Sequence, residues 1–218
     1  MPLAEADGVL YVNTQAAAYA LNATDGSVRW RYPSHALITV SGPLAVSFPN
    51  QTLIIGTAGS VDQPETSAAY AVNIGNGSLR WYHLMGDYKG ATFVNNVAYV
   101  SSGDGYLYAF NAISGHELWR TKMDYSSYPP ITVQGVVYTN SDGAYAVDSA
   151  NGKILWHQSL GYDQSVSFGP SVVVDGADFL SSNNGQSFVS TIYALNASTG
   201  AEYWHGTDIN QISPPAVG

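Results

Sequence analysis

The five tryptophans of this chain all close the same short motif, and this regularity constrains the fold more than any other feature. Each motif begins with Tyr-Ala, carries a glycine four residues before the tryptophan, and ends at the indole. The tryptophans are Trp30, Trp81, Trp119, Trp156 and Trp204, and the glycines are Gly26, Gly77, Gly115, Gly152 and Gly200. A motif that recurs at intervals of 37 to 51 residues indicates a fold of similar, stacked units.

Two further segments precede each motif, and they complete the repeating unit. Before the third motif they read GATFV, a run of small and β-branched residues, and NNVAYVS, a second strand-like run. Gly, Asn and Asp separate the runs, as they do in β-hairpins, and no window shows helical periodicity. The sequence therefore predicts an all-β fold, a β-propeller of five four-stranded antiparallel blades. The predicted blades of this single domain (1–218) span residues 1–33, 41–83, 90–121, 128–158 and 168–206.

The shared position of the tryptophans predicts a structural role for them. An indole at the end of each unit is a large apolar plate that packs between one blade and the next. The turn before it needs a residue that tolerates positive φ, which explains the glycine. The alternative is that the indoles form a platform on which a sugar or a quinone stacks. We disfavour it because all five indoles occupy the equivalent position of their repeats.

The segment Ala-x-Asn/Asp-x-x-x-Gly-x-x-x-Trp resembles the tryptophan-docking motif of pyrroloquinoline-quinone-like (PQQ-like) repeats, over nearly the whole chain. The third motif position is usually Asp in that superfamily, and here only Asp148 keeps it. The resemblance implies a propeller and leaves the function open. The superfamily includes quinoprotein alcohol dehydrogenases, a lipoprotein of the bacterial outer-membrane barrel-assembly machine, and extracellular sensor or surface propellers.

The dehydrogenase branch fits this sequence poorly. Those enzymes fold as an eight-bladed ring, and many hold the quinone beneath a ring of two adjacent cysteines. This chain has no cysteine. No loop combines Glu, Asn and Asp in the way that their Ca²⁺ site does. We therefore expect no catalytic residues, no cofactor and no metal site. Repeat symmetry explains His157 and His205, which follow two of the tryptophans, better than metal binding does.

Composition narrows the partners and the location. Only 11% of the residues are charged, the net charge is −9, and the basic residues number seven. Nucleic-acid binding needs clustered Lys and Arg, so this class is excluded. No apolar run reaches the roughly 18 residues of a membrane span. Low charge with polar, neutral turns favours an extracellular or cell-surface protein, and we expect that a signal peptide has been removed from this sequence.

Ring closure has two interpretations at this stage. Residues 213–218 resemble the first strand of a sixth blade, although PLAEA at residues 2–6 already supplies a first strand for the first blade. Either five blades close a ring within one chain, which we slightly favour, or the chain is part of a larger or open propeller. In the second case the exposed blade faces and strand edges would be association sites.

The interblade segments are rich in Tyr and Asp, and they predict a contact surface at one end of the propeller. Tyrosine provides flat contact area at a low entropic cost, together with a hydroxyl group. An alternative is that these segments plug the channel. The candidate residues are Tyr32, Tyr82, Asp87, Tyr88, Asp124, Tyr125, Tyr128, Tyr162, Asp163 and Asp208.

The sequence thus predicts a non-catalytic binding or scaffold propeller. Its partner would be a protein, a glycan or another ligand held by the Tyr/Asp-rich surface. One alternative is a structural subunit that self-associates through its blade edges. A second alternative is a fragment of a quinone-dependent dehydrogenase.

Overall fold

The fold is all-β and is built from small antiparallel sheets. The computed structural model describes residues 4–33, 39–58, 67–124, 128–161, 166–184 and 189–208. Within these ranges five separate antiparallel sheets follow one another along the chain. In blades 1 to 4, strands that are neighbours in sequence pair as neighbours in space, so each of these blades is a simple meander. The predicted fold class is confirmed; residues 213–218 lie outside the described ranges.

The first three blades are built alike from four strands each. Blade 1 consists of β1 (Ala4–Ala6), β2 (Val9–Asn13), β3 (Ala18–Asn22) and β4 (Val28–Tyr32). Blade 2 consists of β5 (Thr39–Ser47), β6 (Thr52–Ala58), β7 (Ala68–Asn73) and β8 (Leu79–Leu84). Blade 3 consists of β9 (Tyr88–Val94), β10 (Val97–Ser102), β11 (Tyr106–Asn111) and β12 (Glu117–Lys122).

Blade 4 again has four strands, and blade 5 differs from the others in its first strand. Blade 4 consists of β13 (Ile131–Val133), β14 (Val136–Asn140), β15 (Gly143–Asp148) and β16 (Ile154–Ser159). Blade 5 consists of β17 (Val166–Phe168), β18 (Val172–Val174), β19 (Ala177–Asn184), β20 (Val189–Asn196) and β21 (Glu202–Asp208). Both β17 and β18 pair with β19, so the first strand of blade 5 is split into two short pieces.

The pairing and the turn between the third and fourth strands also repeat from blade to blade. The pairing of the third strand with the fourth shifts register at the same place in each blade, just after the alanine that faces the tryptophan. In blades 2 to 5 the turn between these strands is an Asx turn; in blade 3, for example, Asn111 Oδ1 accepts the backbone N–H groups of Ile113 and Ser114. Each turn ends at a glycine with φ between 70° and 76°, a conformation that side chains disfavour.

The core lies between the blades. Four clusters of buried apolar side chains fill the spaces between consecutive sheets, from blades 1 and 2 to blades 4 and 5. An isolated sheet could not bury both of its faces, so each blade depends on its neighbours for stability.

Four tryptophans dock in these spaces with one geometry. Each indole lies on the turn glycine of the following blade, and its Nε1 donates to the carbonyl three residues before that glycine. The donor–acceptor distances are 2.7 Å from Trp30 to Ile74, 3.1 Å from Trp81 to Ala112, 3.1 Å from Trp119 to Ser149, and 2.9 Å from Trp156 to Ala197.

The closed ring that the sequence slightly favours is not seen in the described residues. The fifth indole, Trp204, is 50% exposed, whereas Trp30, Trp81 and Trp156 are each 8% exposed. The arc is therefore open between blade 5 and blade 1 as far as the structure describes it. The described residues also contain no helix with the length and apolarity that crossing a bilayer requires.

Candidate functional site

One end of the propeller carries the Tyr/Asp-rich segments, and we call it the loop face. It comprises the connections between blades and the hairpins between second and third strands: residues 85–87, 103–105, 123–124, 128–130 and 141–142. Backbone hydrogen bonds extend the strand pairing of blade 3 into these segments. Gly103 N–H donates to Asp87 O at 2.7 Å, and Met123 N–H donates to Gly105 O at 2.7 Å. The loop segments of blade 3 are thus held by the sheet from which they emerge.

Asp104 organises the loop face at the boundary of blades 2 and 3. Its Oδ2 accepts a hydrogen bond from the Tyr108 hydroxyl at 2.8 Å and one from Gly86 N–H at 3.1 Å. Burial of the ring and this acceptor both raise the pKa of Tyr108, so its phenol stays protonated as a donor. Lys122 Nζ donates to the backbone carbonyl of Asp104 at 3.4 Å, which places a cation at the edge of the loop face.

Blade 4 repeats this arrangement with a histidine added. Asp142 Oδ1 accepts from the Tyr145 hydroxyl at 2.8 Å and lies 3.1 Å from His157 Nε2. The His157 ring stacks on Tyr145 with 4.0 Å between ring centroids. Burial, Asp142 and the more distant Asp124 raise the pKa of Tyr145. These side chains hold one another in place, which suits a rigid platform.

Three of the residues predicted from the sequence lie exposed on this platform. Asp87 follows blade 2, Asp124 follows blade 3, and Tyr128 precedes the first strand of blade 4. Asp87 is accompanied by Lys89, with 3.9 Å between its Oδ2 and the lysine Nζ. The loop face thus carries the carboxylates of Asp87, Asp104, Asp124 and Asp142 and the lysines Lys89 and Lys122.

Tyr32 and Tyr82 belong to a separate aromatic cluster between blades 1 and 2. Tyr70 lies between them, with its ring centroid 6.0 Å from that of Tyr32 and 5.7 Å from that of Tyr82. Burial raises the pKa of Tyr32 to about 12. Tyr82 is exposed, and Tyr32 is half-buried. The structure thus divides the predicted surface into two parts.

Tyr88 does not lie on the surface at all. It is 2% exposed, and its ring occupies the space left by two glycines of blade 2. A Cβ added at Gly56 would lie 2.0 Å from the Tyr88 ring, and one at Gly42 would lie 2.9 Å from it. Complete burial strongly raises the pKa of Tyr88. This tyrosine is a packing residue between blades 2 and 3.

The four remaining predicted residues lie outside the described ranges or at their end. Tyr125, Tyr162 and Asp163 lie outside the described residues, and Asp208 ends strand β21. Sequence reasoning also missed Asp104 and Asp142, which organise the platform. Their signal was present in the segments SGDGY and SDGAY, because Asp beside Gly is typical of a tight hairpin turn.

The acidic and histidine side chains of the described residues bear on the metal chemistry of the dehydrogenase branch. Among these residues no group of three or more His, Asp and Glu side chains converges as a metal site would require. The chain has no cysteine to provide a disulfide beneath a quinone. The carboxylates of the loop face accept hydrogen bonds from tyrosine and backbone groups instead.

Five meandering blades joined by indole docking define a PQQ-like β-propeller protein. A family model described as outer membrane protein assembly factor BamB matches residues 2–158 and 141–212. The chain belongs to this family, and its suspected membership of the PQQ-like superfamily is confirmed.

Curated relatives include both an enzyme and an assembly factor. The chain is 27% identical over 239 residues to the tetrathionate hydrolase of Acidithiobacillus ferrooxidans, covering 91% of this chain and 46% of that protein. It is 25% identical over 176 residues to the outer membrane protein assembly factor BamB of Moranella endobia, covering 72% of this chain and 43% of that protein. The chain spans less than half the length of either relative.

Solved structures agree on the fold. BamB from Moraxella catarrhalis superposes with a TM-score of 0.65 at 14% identity, covering 96% of this chain and 76% of that one. The quinohemoprotein alcohol dehydrogenase ADHIIG from Pseudomonas putida HK5 superposes with a TM-score of 0.68 at 15% identity, covering 94% of this chain and 41% of that one. At this level of identity the likeness concerns the architecture alone.

Proposed function

We propose that this chain is a non-catalytic binding or scaffold propeller of the cell envelope or cell surface, and that its loop face contacts a partner protein. The observation that carries the proposal is the exposure of Asp87, Asp124 and Tyr128 together at one end of neighbouring blades. Hydrogen bonds from Tyr108 and Tyr145 to the underlying aspartates keep that end rigid, so little ordering entropy is lost on binding. The family description as an outer membrane assembly factor supports both the scaffold role and the location.

The loop face favours a partner segment with basic and apolar groups. Asp87 and Asp124 offer exposed carboxylates, and Tyr128 adds an aromatic ring beside them. The net charge of −9 also speeds the encounter with a cationic surface at low ionic strength. Binding through these groups should weaken as salt is added, because exposed charges are screened.

The test places a photo-crosslinking amino acid at position 128 and exposes the protein to cell-envelope extract. We expect a specific protein adduct from position 128 and none from position 118, where Leu118 is exposed on blade 3 away from the loop face. With the captured partner purified, Asp124→Asn combined with Tyr128→Ala should weaken binding about tenfold or more. The matched control, Asp7→Asn combined with Leu118→Ala, alters one exposed carboxylate and one exposed apolar side chain elsewhere. Equal binding by both double variants would overturn the proposed surface.

A second candidate function is hydrolysis of tetrathionate. It is favoured by the 27% identity to a tetrathionate hydrolase across 91% of this chain. To separate the two functions, the purified protein is incubated with tetrathionate over a wide pH range, and the consumption of tetrathionate is measured. We expect no consumption above the protein-free rate, and consumption that rises in proportion to the protein concentration would establish the enzyme instead.

A further inference from the structure

The four interfaces between consecutive blades share one docking geometry. The outer faces of blade 1 and blade 5 can therefore be compared with these interfaces. In each, the indole of one blade lies against the turn glycine of the next. A Cβ added to that glycine would come within 2.8 Å of the ring at Gly77, 2.4 Å at Gly115, 2.7 Å at Gly152 and 2.6 Å at Gly200. Each indole N–H also reaches a backbone carbonyl of the same turn. An interface therefore needs an indole on one side and a Gly turn on the other.

The outer face of blade 5 presents the indole half without its counterpart. Trp204 is 50% exposed, and its described ring contact is with Phe179 of the same blade, at 6.2 Å. Phe179 is half-buried, although its equivalents Tyr99 and Tyr138 are buried by the blades that follow them. Within the described ranges, the indole N–H of Trp204 makes no hydrogen bond of the kind that the other four indoles donate to the next blade.

The outer face of blade 1 presents the Gly-turn half without an indole. A Cβ built on Gly26 meets nothing within 4 Å, although its φ of 71° matches that of the four occupied glycines. Ala23, three residues before it, is exposed, and it occupies the position of the carbonyls that accept an indole in the other blades. Leu10 and Leu21 are half-buried there, whereas Leu53 and Val72, the equivalent pair in blade 2, are fully buried.

We propose that copies of this chain bind one another head to tail, with Trp204 of one copy docked on the Gly26 turn of the next. The indole N–H then donates to the Ala23 carbonyl, as the four internal tryptophans do to their acceptors. A second copy is the occupant that the structure favours, because each copy carries both halves of the interface and neither half has a partner among the described residues. Different surfaces meet in such a contact, so assembly can continue beyond two copies.

The first test measures mass by sedimentation equilibrium over a wide concentration range. The wild-type chain should form oligomers whose size grows with concentration, and Trp204→Ala should lower the association constant about a hundredfold or more. His205→Ala is the matched control, because His205 is exposed and follows Trp204 in the regular part of the same strand, which places its side chain on the opposite face. Wild-type behaviour is expected of this control. A wild-type chain that stays monomeric throughout would overturn the proposal.

The second test uses the other half of the interface. Gly26→Asn keeps a residue that tolerates positive φ and fits the open space of a single copy, but its side chain blocks an incoming indole. Trp204→Ala and Gly26→Asn should each be monomeric alone. Mixed together they should form a dimer and stop there, because one copy retains the Gly26 turn and the other retains Trp204. A mixture that stays monomeric, or a Gly26→Asn variant that assembles like the wild type, contradicts head-to-tail docking.

Discussion

Asp178 places a carboxyl group at a position that is apolar in every other blade. It pairs across the sheet with Leu195, and the residues in the same register are Leu10, Leu53, Ala98 and Val137. The side chain is 0% exposed, and neither of its oxygens has a hydrogen-bond partner among the described residues. Burial raises the pKa of Asp178 to about 6, and the nearby Ser171 hydroxyl opposes that shift only in part. A buried, unpaired carboxylate destabilises the fold.

Replacing Asp178 by Asn should stabilise the protein at neutral pH. The folded-state pKa of about 6 exceeds the ordinary value of 3.8, so the folded protein binds this proton more tightly than the unfolded chain. The wild type therefore loses stability as pH rises from about 4 to about 6 and stays at the lower level above. A difference of about two pKa units corresponds to about 3 kcal/mol at pH 7.5.

Denaturant unfolding of both proteins at pH 4 and pH 7.5 measures this effect. The gain in unfolding free energy for Asp178→Asn should be present at pH 7.5 and nearly absent at pH 4. Asp175→Asn is the control, because Asp175 lies exposed in the turn just before. An equal gain at both pH values would show that the carboxyl charge is not the cause.

At the level of the repeating element, the glycine of the docking turn has two separable roles. It permits a positive φ, and it leaves room for the indole of the preceding blade. Gly115 does both, since its Cβ would lie 2.4 Å from Trp81, whereas Gly26 has the same backbone conformation and nothing within 4 Å. The chain thus contains its own control for the cost of packing.

Gly115→Ala should destabilise the fold much more than Gly26→Ala. The strain of an L-residue at positive φ costs about 1 kcal/mol in either variant. The clash with Trp81 in Gly115→Ala should add about 2 kcal/mol or more, because backbone and ring must move apart. Chemical denaturation in dilute solution gives both values. Equal losses would mean that the turn glycine is needed for its conformation alone.

The same element shows how far sequence reasoning reaches. The motif predicts five blades because identical residues at identical offsets require a common local structure, and Asn111 and Gly115 take up the expected turn. The loop face was predicted less well, since its segments do not repeat. Tyr88 resembles the other Tyr/Asp segments but fills a space made by Gly56, and that space depends on a contact between two blades. Such contacts between distant residues leave no local pattern in a sequence.

Across the whole molecule, the number of interfaces that a blade makes should set its local stability. Blades 2, 3 and 4 are covered on both faces, whereas blades 1 and 5 are each covered on one face in the described structure. In a linear array of repeats, stability is close to a sum over blades and nearest-neighbour contacts. The end blades therefore open more easily than the middle ones.

Amide hydrogen exchange should reveal this gradient directly. In dilute protein, the central strands β10 (Val97–Ser102) and β14 (Val136–Asn140) should exchange at least about tenfold more slowly than β2 (Val9–Asn13) and β20 (Val189–Asn196), because opening an end blade breaks one interface instead of two. Raising the concentration should protect β2 and β20 selectively in the wild type, since docking of Trp204 covers both end faces. The Trp204→Ala variant should keep the gradient at every concentration. Uniform protection in dilute wild-type protein would instead mean that all five blades open as one cooperative unit.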